Sequence, residues 1–481
     1  MSTITMGSTT AGGAPYGSAE PFMDPNDVRT AFTVAMSAMY RNEVPLYGDL
    51  IRIVQSINKE VLSAKSQLAD QTGIGESAVP QRLDLERHGA IRLGTPYELR
   101  TVSRIFAVIG LKAVGYYDLS IAGLPMHATC FRPIDLASLN KNPFRVFTTL
   151  LRPELLSDKE ARDLATKLLT RRNIFSSRLL DLTSTAEGQS NRLTASQAEE
   201  FILEAMKTFS WRPEASATED EYKALAAEHP ILADIASFKS SHINHLTPRT
   251  LDIVASQERM KVEGLKVKNR IEGPPRRQCP ILLRQTSFLA LEERIKFRNS
   301  EGTLVEGTHR ARFGEIEERG AAVTPAGRKL YDALLEKAMD KCQALSCNKK
   351  PALMDELLSE VFREYPDTWT ELRRRELVYC TYRRTRKPLS KDPSKMPSLE
   401  DLVSQGYLEA EPITYEDFLP FSAAGIFQSN LTSSKGSSLC KMGRPDQEGY
   451  EKALGGALLS ADDLYLKSQR ESIEKCGLGS G

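Results

Sequence analysis

The most informative stretch of this sequence is Arg87-His88-Gly89-Ala90-Ile91-Arg92. His88 can bind a metal ion, and Arg92 carries a fixed charge that can hold a carboxylate through two parallel hydrogen bonds. The small residues Gly89 and Ala90 between them leave room for a ligand to approach the backbone. The stretch therefore predicts a site for a metal and an acidic substrate. For an isolated spacing of this kind, the ordinary alternative is a surface turn with a solvated histidine and arginine.

The composition is that of an ordinary globular protein. The 481 residues are 41% hydrophobic and 26% charged, and 64 lysines and arginines balance 63 aspartates and glutamates to a formal net charge of +1. Such a balance supplies no long-range field to attract nucleic acid or an anionic membrane, and no apolar run is long enough to cross a bilayer. We therefore expect no nucleic-acid or membrane partner, and we make no prediction of the oligomeric state.

The cysteines and the first residues bear on the location of the protein. Seven cysteines are scattered without a disulfide framework, which favours reduced thiols and a cytoplasmic location. Residues 1–25 lack both the apolar core of a signal peptide and the basic face of a mitochondrial presequence. We expect a disordered tail there.

Local patterns predict an α+β fold with large helical insertions. The run Asp24-Pro25-Asn26-Asp27 predicts a helix start, and helical patterns follow over residues 28–64 with a break near Pro45. A further helical pattern covers residues 97–111 after the helix-start signal Thr95-Pro96. Strand-like composition covers residues 116–132, 145–151, 281–298 and 303–323. We expect one domain over 26–435, with a helical insertion at about 156–239 and further helices at about 325–365, followed by a C-terminal loop and helix over 436–481.

Two histidines three residues apart form a second motif, in the run Ser241-His242-Ile243-Asn244-His245-Leu246-Thr247-Pro248-Arg249. They would share one face of a helix but lie on opposite faces of a strand. Because Thr247-Pro248 is typical of a helix start, we place His245 in an irregular stretch just before that helix. Most isolated histidine pairs of this kind bind no metal.

A third motif carries carboxylates, in the run Thr308-His309-Arg310-Ala311-Arg312-Phe313-Gly314-Glu315-Ile316-Glu317-Glu318-Arg319-Gly320. In a strand, Glu315 and Glu317 would point to the same face. A carboxylate in a sheet core is unfavourable unless it is paired or bound to a metal, and the alternative is a strand with one solvated face. Two imidazoles and one carboxylate form the ligand set of non-haem Fe(II) oxygenases, but the spacing alone leaves this choice open.

Five motifs that occur in order resemble the 2-oxoadipate dioxygenase/decarboxylase family, also called 2-hydroxyglutarate synthase, over about residues 28–431. They are Arg87-His88-Gly89-Ala90-Ile91-Arg92, Asn244-His245-Leu246-Thr247-Pro248-Arg249, Arg284-Gln285-Thr286-Ser287-Phe288, Arg312-Phe313-Gly314-Glu315-Ile316-Glu317 and Phe418-Leu419-Pro420-Phe421-Ser422-Ala423-Ala424-Gly425-Ile426-Phe427. The resemblance implies a vicinal-oxygen-chelate-like open β-barrel around a metal, so that residues 26–435 would be a metal-dependent dioxygenase domain.

The resemblance also implies a ligand set. It implies that Fe(II) binds to His88, His245 and Glu315. We choose Glu315 over Glu317 because the run Glu315-Ile316-Glu317-Glu318-Arg319 is similar to the metal-ligand strand of 4-hydroxyphenylpyruvate dioxygenase.

Substrate-binding residues follow from the same resemblance. Arg92 is implied to bind the substrate and to be a catalytic residue, and Phe421 and Ser422 are expected to bind the substrate as part of the pocket lining. The family has a smaller aliphatic residue where this chain has Phe421, so the preferred length of the substrate is the point at which this chain could differ.

The implied reaction converts 2-oxoadipate and O2 to 2-hydroxyglutarate and CO2. The 2-oxo acid would chelate the iron through its carboxylate and keto oxygens, while Arg92 would hold its distal carboxylate. Two other classes of function remain open. One is a vicinal-oxygen-chelate metalloenzyme that uses zinc, manganese or nickel on another 2-oxo acid, and the other is a metabolite-binding protein without catalysis.

Overall fold

The structure is a computed structural model that describes residues 20–72, 81–299, 301–345, 350–388, 397–419 and 443–478. The predicted pocket residues Phe421 and Ser422, and most of the predicted N-terminal tail, lie outside the described residues. No helix in these ranges combines the length and the apolar character that crossing a membrane requires.

Several helices begin at the capping residues that the sequence indicates. The Asp24 side chain accepts a hydrogen bond from the backbone N–H of Asn26, and the Thr95 side chain accepts one from Glu98, as predicted. The α-helices of the described residues are α1 (Pro25–Glu43), α2 (Pro45–Thr72), α3 (Pro96–Val108), α4 (Leu136–Lys141), α5 (Lys159–Arg171), α6 (Ser177–Gly188), α7 (Ala195–Phe209), α8 (Glu219–Glu228), α9 (Pro230–Ser237), α10 (Ile253–Val262), α11 (Pro325–Ala344), α12 (Pro351–Val361), α13 (Trp369–Arg374), α14 (Leu399–Ser404), α15 (Gln447–Leu454) and α16 (Ala461–Lys475).

The strands form one larger sheet and three two-stranded sheets. They are β1 (Arg87–Leu93), β2 (Lys112–Asp118), β3 (Met126–Arg132), β4 (Arg145–Leu151), β5 (His245–Pro248), β6 (Leu283–Ser287), β7 (Glu292–Arg298), β8 (Leu304–Arg310), β9 (Glu315–Arg319), β10 (Cys380–Arg384) and β11 (Leu408–Pro412). The larger sheet has the order β2-β3-β4-β1-β5, and the pairs are β6 with β9, β7 with β8 and β10 with β11. The α+β class is confirmed, and the described strands do not close into a barrel.

The central sheet is covered on both faces. Every residue of β1, β3 and β4 is buried. On β1, Ala90 packs into a core that includes residues of α5, α9 and α11, whereas Ile91 and Leu93 pack into a second core with residues of α1, α3 and α7. A strand with both faces covered holds its polar side chains away from water, so those side chains need partners inside the protein.

The first motif therefore does not form a surface turn. It lies in β1, which pairs parallel with β4 and antiparallel with β5. The expectation that Gly89 leaves room for a ligand is wrong, because neighbouring side chains occupy that space. A Cβ atom at this position would lie 3.1 Å from Leu246 and 3.3 Å from Ile243, so the glycine allows the chain around β5 to approach β1.

The second motif also differs from the expectation. His245 begins strand β5, and Thr247-Pro248 ends that strand instead of starting a helix. The helix that follows, α10, starts at Ile253 and is capped by Asp252. Pairing with β1 makes this segment a strand. Pro248 is compatible with it because β5 lies at the edge of the sheet, where a proline is tolerated.

The cysteines only partly follow the expectation of reduced thiols. Cys130, Cys279, Cys380 and Cys476 are free and buried. Cys342 is disulfide-bonded, so the expectation is wrong at this position.

Candidate metal and substrate site

Three side chains from three strands converge at the centre of the molecule. His88 lies on β1, His245 on β5 and Glu315 on β9, and one potential ligand atom from each lies within 4.8 Å of the other two. The Nε2 atom of His88 is 3.2 Å from Oε2 of Glu315, and Nε2 of His245 is 3.7 Å from the same oxygen. Their exposed fractions are 1%, 4% and 0%, so this cluster is shielded from solvent.

Strand pairing explains how residues so far apart in the sequence meet. In the β1–β5 ladder, Ala90 lies opposite His245 and His88 lies opposite Thr247. Residues opposite each other, and residues two apart on one strand, share a face, so both histidines lie on one face of the sheet. The backbone N–H of Thr250 donates to the carbonyl of Glu317 at 2.8 Å, which aligns β9 beside the end of β5.

Glu317 contacts the other ring nitrogen of His88. Its Oε2 lies 2.9 Å from Nδ1 of His88 and accepts from Arg319 at 2.8 Å, while its Oε1 accepts from Arg145 at 3.1 Å. Burial alone would raise the pKa of Glu317, but Arg319, His88 and Arg145 hold this pKa well below its usual value. Glu317 is therefore a carboxylate that accepts the Nδ1–H of His88 and leaves the lone pair on Nε2, the nitrogen nearest Glu315.

His245 is uncharged in this environment. Burial lowers the pKa of His245 well below its usual value, and the neighbouring His88 and Arg92 lower it further. A neutral imidazole keeps the lone pair that a metal requires. The opposite effect holds at His88, where burial lowers the pKa but Glu317 and Glu315 outweigh it and raise the pKa.

Glu315 has hydrogen-bond donors but no cationic side chain beside it among the described residues. Its Oε2 accepts from Nε2 of Gln285 at 2.9 Å and from the hydroxyl of Thr247 at 3.2 Å. Its Oε1 and the Nδ1 atom of His245 are buried without a hydrogen-bond partner among the described residues. A buried, only partly satisfied carboxylate beside two imidazoles fits a divalent metal ion, which supplies the missing positive charge.

Aromatic rings surround the histidines. The ring of Phe418 meets His88 edge-on at a centroid distance of 4.9 Å, and Phe313 lies 4.7 Å from the His245 ring. Such apolar walls exclude water and strengthen the electrostatic interactions of a bound ion and an anionic substrate.

Arg92 lies on the same face of β1 as His88, four residues along the strand. Its Nη1 donates to Oδ2 of Asp234 on α9 at 2.5 Å, and its positive charge contributes to the lowered pKa of His245. The predicted substrate arginine is thus a buried cation close to the three candidate ligands. This position suits a residue that binds an anionic ligand beside a metal.

A second buried cluster contains Asp234, His242 and His309. Nε2 of His242 is 3.2 Å from Oδ1 of Asp234, and Nε2 of His309 is 2.9 Å from the same oxygen. The two histidines of the second sequence motif therefore belong to different clusters. His245 lies beside Glu315, and His242 lies beside Asp234.

Several residues around the site were missed by the sequence reasoning. Thr247, Gln285 and His309 lie inside quoted motifs, but spacing gave them no role. Arg145 carried a signal that could have been used, since a charged residue opens the apolar run that becomes β4. Asp234 gave no comparable signal, because nothing in its local sequence indicates contact with β1.

The chain is similar to known proteins over most of its length. Residues 32–430 match the family described as 2-oxoadipate dioxygenase/decarboxylase. The chain is 45% identical to the 2-oxoadipate dioxygenase/decarboxylase of Pseudomonas putida over 95% of this chain and 98% of the relative. It is also 45% identical to the Escherichia coli protein of the same name, over 94% of this chain and 98% of the relative. A crystal structure of the hydroxyglutarate synthase from Pseudomonas putida in complex with 2-oxoadipate is similar with a TM-score of 0.84 and 43% identity, covering 95% of this chain and 99% of that one.

Proposed function

The chain belongs to the 2-oxoadipate dioxygenase/decarboxylase family, and from this premise we propose that it converts 2-oxoadipate and O2 to 2-hydroxyglutarate and CO2 at an Fe(II) ion. The observation that carries the proposal is the convergence of His88, His245 and Glu315 on one buried point. These three residues would hold the ion and leave three coordination positions open.

Iron is favoured over other metals by the chemistry of the donor set. Two neutral imidazoles and one carboxylate are the facial ligands of non-haem Fe(II) oxygenases. The bound iron would activate O2, and the 2-oxo acid would supply the electrons through its own decarboxylation, so no second 2-oxo acid is needed.

The protein would position the ligands through their hydrogen bonds. Glu317 holds the proton of His88 on Nδ1, which keeps Nε2 available to the metal. Gln285 and Thr247 restrain the Glu315 carboxylate through Oε2. Because these partners come from β5, β6 and β9, the ligand geometry is fixed before the substrate arrives, which lowers the entropic barrier to reaction.

Arg92 would bind the distal carboxylate of the substrate. The 2-oxo acid end of 2-oxoadipate would lie at the metal, and the other carboxylate would reach along β1 to Arg92. The two anchors fix which C–H bond faces the reacting centre, and this explains a preference for a diacid. On the resemblance alone, we also propose that Phe421 and Ser422 contact the substrate.

The fold assignment at the finer level is also a proposal. We propose a vicinal-oxygen-chelate-like arrangement in which β1, β5 and β9 carry the ligands side by side. Residues 26–435 would form one dioxygenase domain, with α5–α9 as a helical insertion between β4 and β5. Residues 436–481 would follow as a C-terminal segment, which contains the two helices α15 and α16 where the sequence predicted one.

Metal reconstitution tests the proposed activity. The metal-free protein should be loaded anaerobically with Fe(II), Mn(II), Ni(II) or Zn(II), and mixed with 2-oxoadipate and O2. We expect only the iron form to consume O2 and to release one CO2 and one 2-hydroxyglutarate per 2-oxoadipate. Equal activity with zinc, or product formation without O2 uptake, would favour a different metalloenzyme reaction. Absence of turnover on every 2-oxo diacid would favour a binding protein.

A further inference from the structure

The cluster around Asp234 surrounds the arginine of the proposed substrate site. Asp234 lies on α9, His309 on β8 and His242 in the segment before β5. All three are buried, with exposed fractions of 2–3% in their side chains. Oδ2 of Asp234 accepts from Arg92, and Oδ1 faces both imidazoles. Three separate elements thus meet at one carboxylate that is bonded to Arg92.

The protonation of the two imidazoles fits hydrogen bonding to Asp234. Burial raises the pKa of Tyr222 to about 12, so its hydroxyl keeps its proton and can donate to Nδ1 of His309 at 2.8 Å. That contact leaves the ring proton of His309 on Nε2, which faces Asp234. Burial lowers the pKa of His242 despite the nearby carboxylate, so His242 is neutral. The separations of 2.9 and 3.2 Å are ordinary lengths for N–H···O bonds.

The same three residues could be taken for a second metal site, but the charge balance disfavours that. Asp234 carries one negative charge, which the neighbouring Arg92 already balances. A divalent ion would add two buried positive charges without another carboxylate in the cluster, and burial of uncompensated charge is strongly unfavourable. One N–H group from each of the two imidazoles satisfies the remaining acceptor positions of Asp234 without that cost.

We propose that Asp234, oriented by His242 and His309, is a positioning residue that holds Arg92 in place and thereby sets the preference for diacids. This inference rests on the proposed function, in which Arg92 binds the distal carboxylate. A guanidinium has five N–H donors, so a bond from Nη1 to Asp234 is compatible with a bond to the substrate. Trp211 packs against both imidazoles, with centroid distances of 4.6 Å to His242 and 5.8 Å to His309, and restrains their orientation.

The effect of Asp234 on kinetics should differ from that of Arg92. In Asp234→Asn, Arg92 keeps its charge and can still attract a diacid, but its orientation is less restricted. We expect kcat on 2-oxoadipate to fall by roughly 10- to 100-fold, the range for a misplaced substrate, while KM rises little. Turnover of 2-oxohexanoate, which lacks the distal carboxylate, should change by less than about threefold. Arg92→Ala, measured in parallel, should lower 2-oxoadipate turnover and also raise KM for this substrate.

Glu98→Gln is the matched control. Glu98 forms a buried bidentate pair with Arg172 at 2.7 Å, and Arg172 also donates to the carbonyl of Ile235 in α9. This variant weakens a buried ion pair that borders α9 through Arg172 and does not touch Arg92, so the ratio of kcat/KM for the two substrates should stay at the wild-type value. An equal loss on both substrates in Asp234→Asn, as in a generally weakened fold, would overturn the proposal.

A pair of variants at His309 keeps the proposal testable if Asp234→Asn does not fold. In His309→Gln, the side-chain amide can still donate to Asp234, so diacid preference should be retained. In His309→Leu, the donor is lost, and the preference should fall. If His309→Gln and His309→Leu show the same preference for diacids, the hydrogen bond from His309 to Asp234 does not set that preference. Two metal ions per wild-type chain, with one lost in Asp234→Asn, would identify a metal site instead.

The controls separate this inference from the proposed function. If Arg92→Ala reduces diacid turnover selectively while Asp234→Asn does not, the positioning role fails and the role of Arg92 stands. If Arg92→Ala affects both substrates equally, Arg92 does not bind the distal carboxylate, and the positioning role fails with it.

Discussion

Glu315 and Glu317 offer a strong test of the site, because replacing each by glutamine should give opposite results. Glu317 is fully buried and accepts hydrogen bonds from Arg145 and Arg319 at 3.1 and 2.8 Å. Glu315 is equally buried, but among the described residues its ion-pair contacts are His88 and His245 alone. The first carboxylate therefore stabilises the fold through fixed cations, while the second has no such cation in the metal-free protein.

The magnitudes follow from these contacts. Removal of one partner of a buried ion pair typically costs about 3–5 kcal/mol of unfolding free energy. In Glu317→Gln, Arg145 retains its ion pair with Glu86, and Arg319 retains its hydrogen bonds to two backbone carbonyls. We therefore expect this variant to lose about 3 kcal/mol of unfolding free energy, the low end of that range. Metal affinity should fall by about 10- to 100-fold, as for other hydrogen-bond partners of metal-bound histidines. Glu315→Gln should lose most metal binding, yet leave the metal-free protein as stable as wild type or slightly more stable.

Two measurements decide between these outcomes. Urea unfolding of the metal-free proteins gives the change in unfolding free energy, and anaerobic Fe(II) titration gives the affinity and stoichiometry. Our assignment would be reversed by a Glu315→Gln protein that binds iron normally, together with a Glu317→Gln protein that binds none and unfolds like wild type.

Three further predictions concern substrate choice and pH. Arg92→Ala should slow 2-oxoadipate turnover by roughly a hundredfold or more, since loss of a buried charge pair costs about 2–5 kcal/mol, and Arg92→Lys should not fully restore it. Equal losses on 2-oxohexanoate would mean that Arg92 is structural. From the sequence alone, Phe421→Val should relax the rejection of diacids longer than 2-oxoadipate, by about 1–3 kcal/mol per methylene, and an unchanged substrate profile would contradict a pocket role. Burial, followed by the charge of Arg92, lowers the pKa of His229 to about 4. The contribution of the neutral His229 to the unfolding free energy is therefore fully present above pH 6.5 and is lost as the pH falls towards 4. Asparagine also caps a helix but does not titrate, so His229→Asn should retain the cap. Between pH 7 and 4.5 the unfolding free energy of this variant, measured with urea, should fall by about 1–2 kcal/mol less than that of the wild type.

Local signals in the sequence predicted much of the fold. Capping residues placed the starts of α1 and α3, and the apolar run from Arg145 to Leu151 became β4 with the expected bounds. These features depend on neighbouring residues, so local patterns suffice to predict them. At His245 the local signal was misleading, because pairing with the distant strand β1 outweighed the helix-start character of Thr247-Pro248.

The surroundings of the site could not be predicted in the same way. Glu317 meets His88 and Arg145 only after β1, β4 and β9 have assembled, and Asp234 meets Arg92 only when α9 packs near β1. The family resemblance supplied candidate ligands and the candidate arginine. The hydrogen bonds that orient them depend on tertiary contacts, which spacing along the chain does not encode.

The central claim is that His88, His245 and Glu315 hold the iron. The most direct measurement is an anomalous difference map, recorded at the iron absorption edge from crystals grown anaerobically with Fe(II). We predict one strong peak per chain, about 2.0–2.3 Å from Nε2 of both histidines and from an oxygen of Glu315. A peak among Asp234, His242 and His309 instead, or no peak near Glu315 in iron-loaded active protein, would contradict the account.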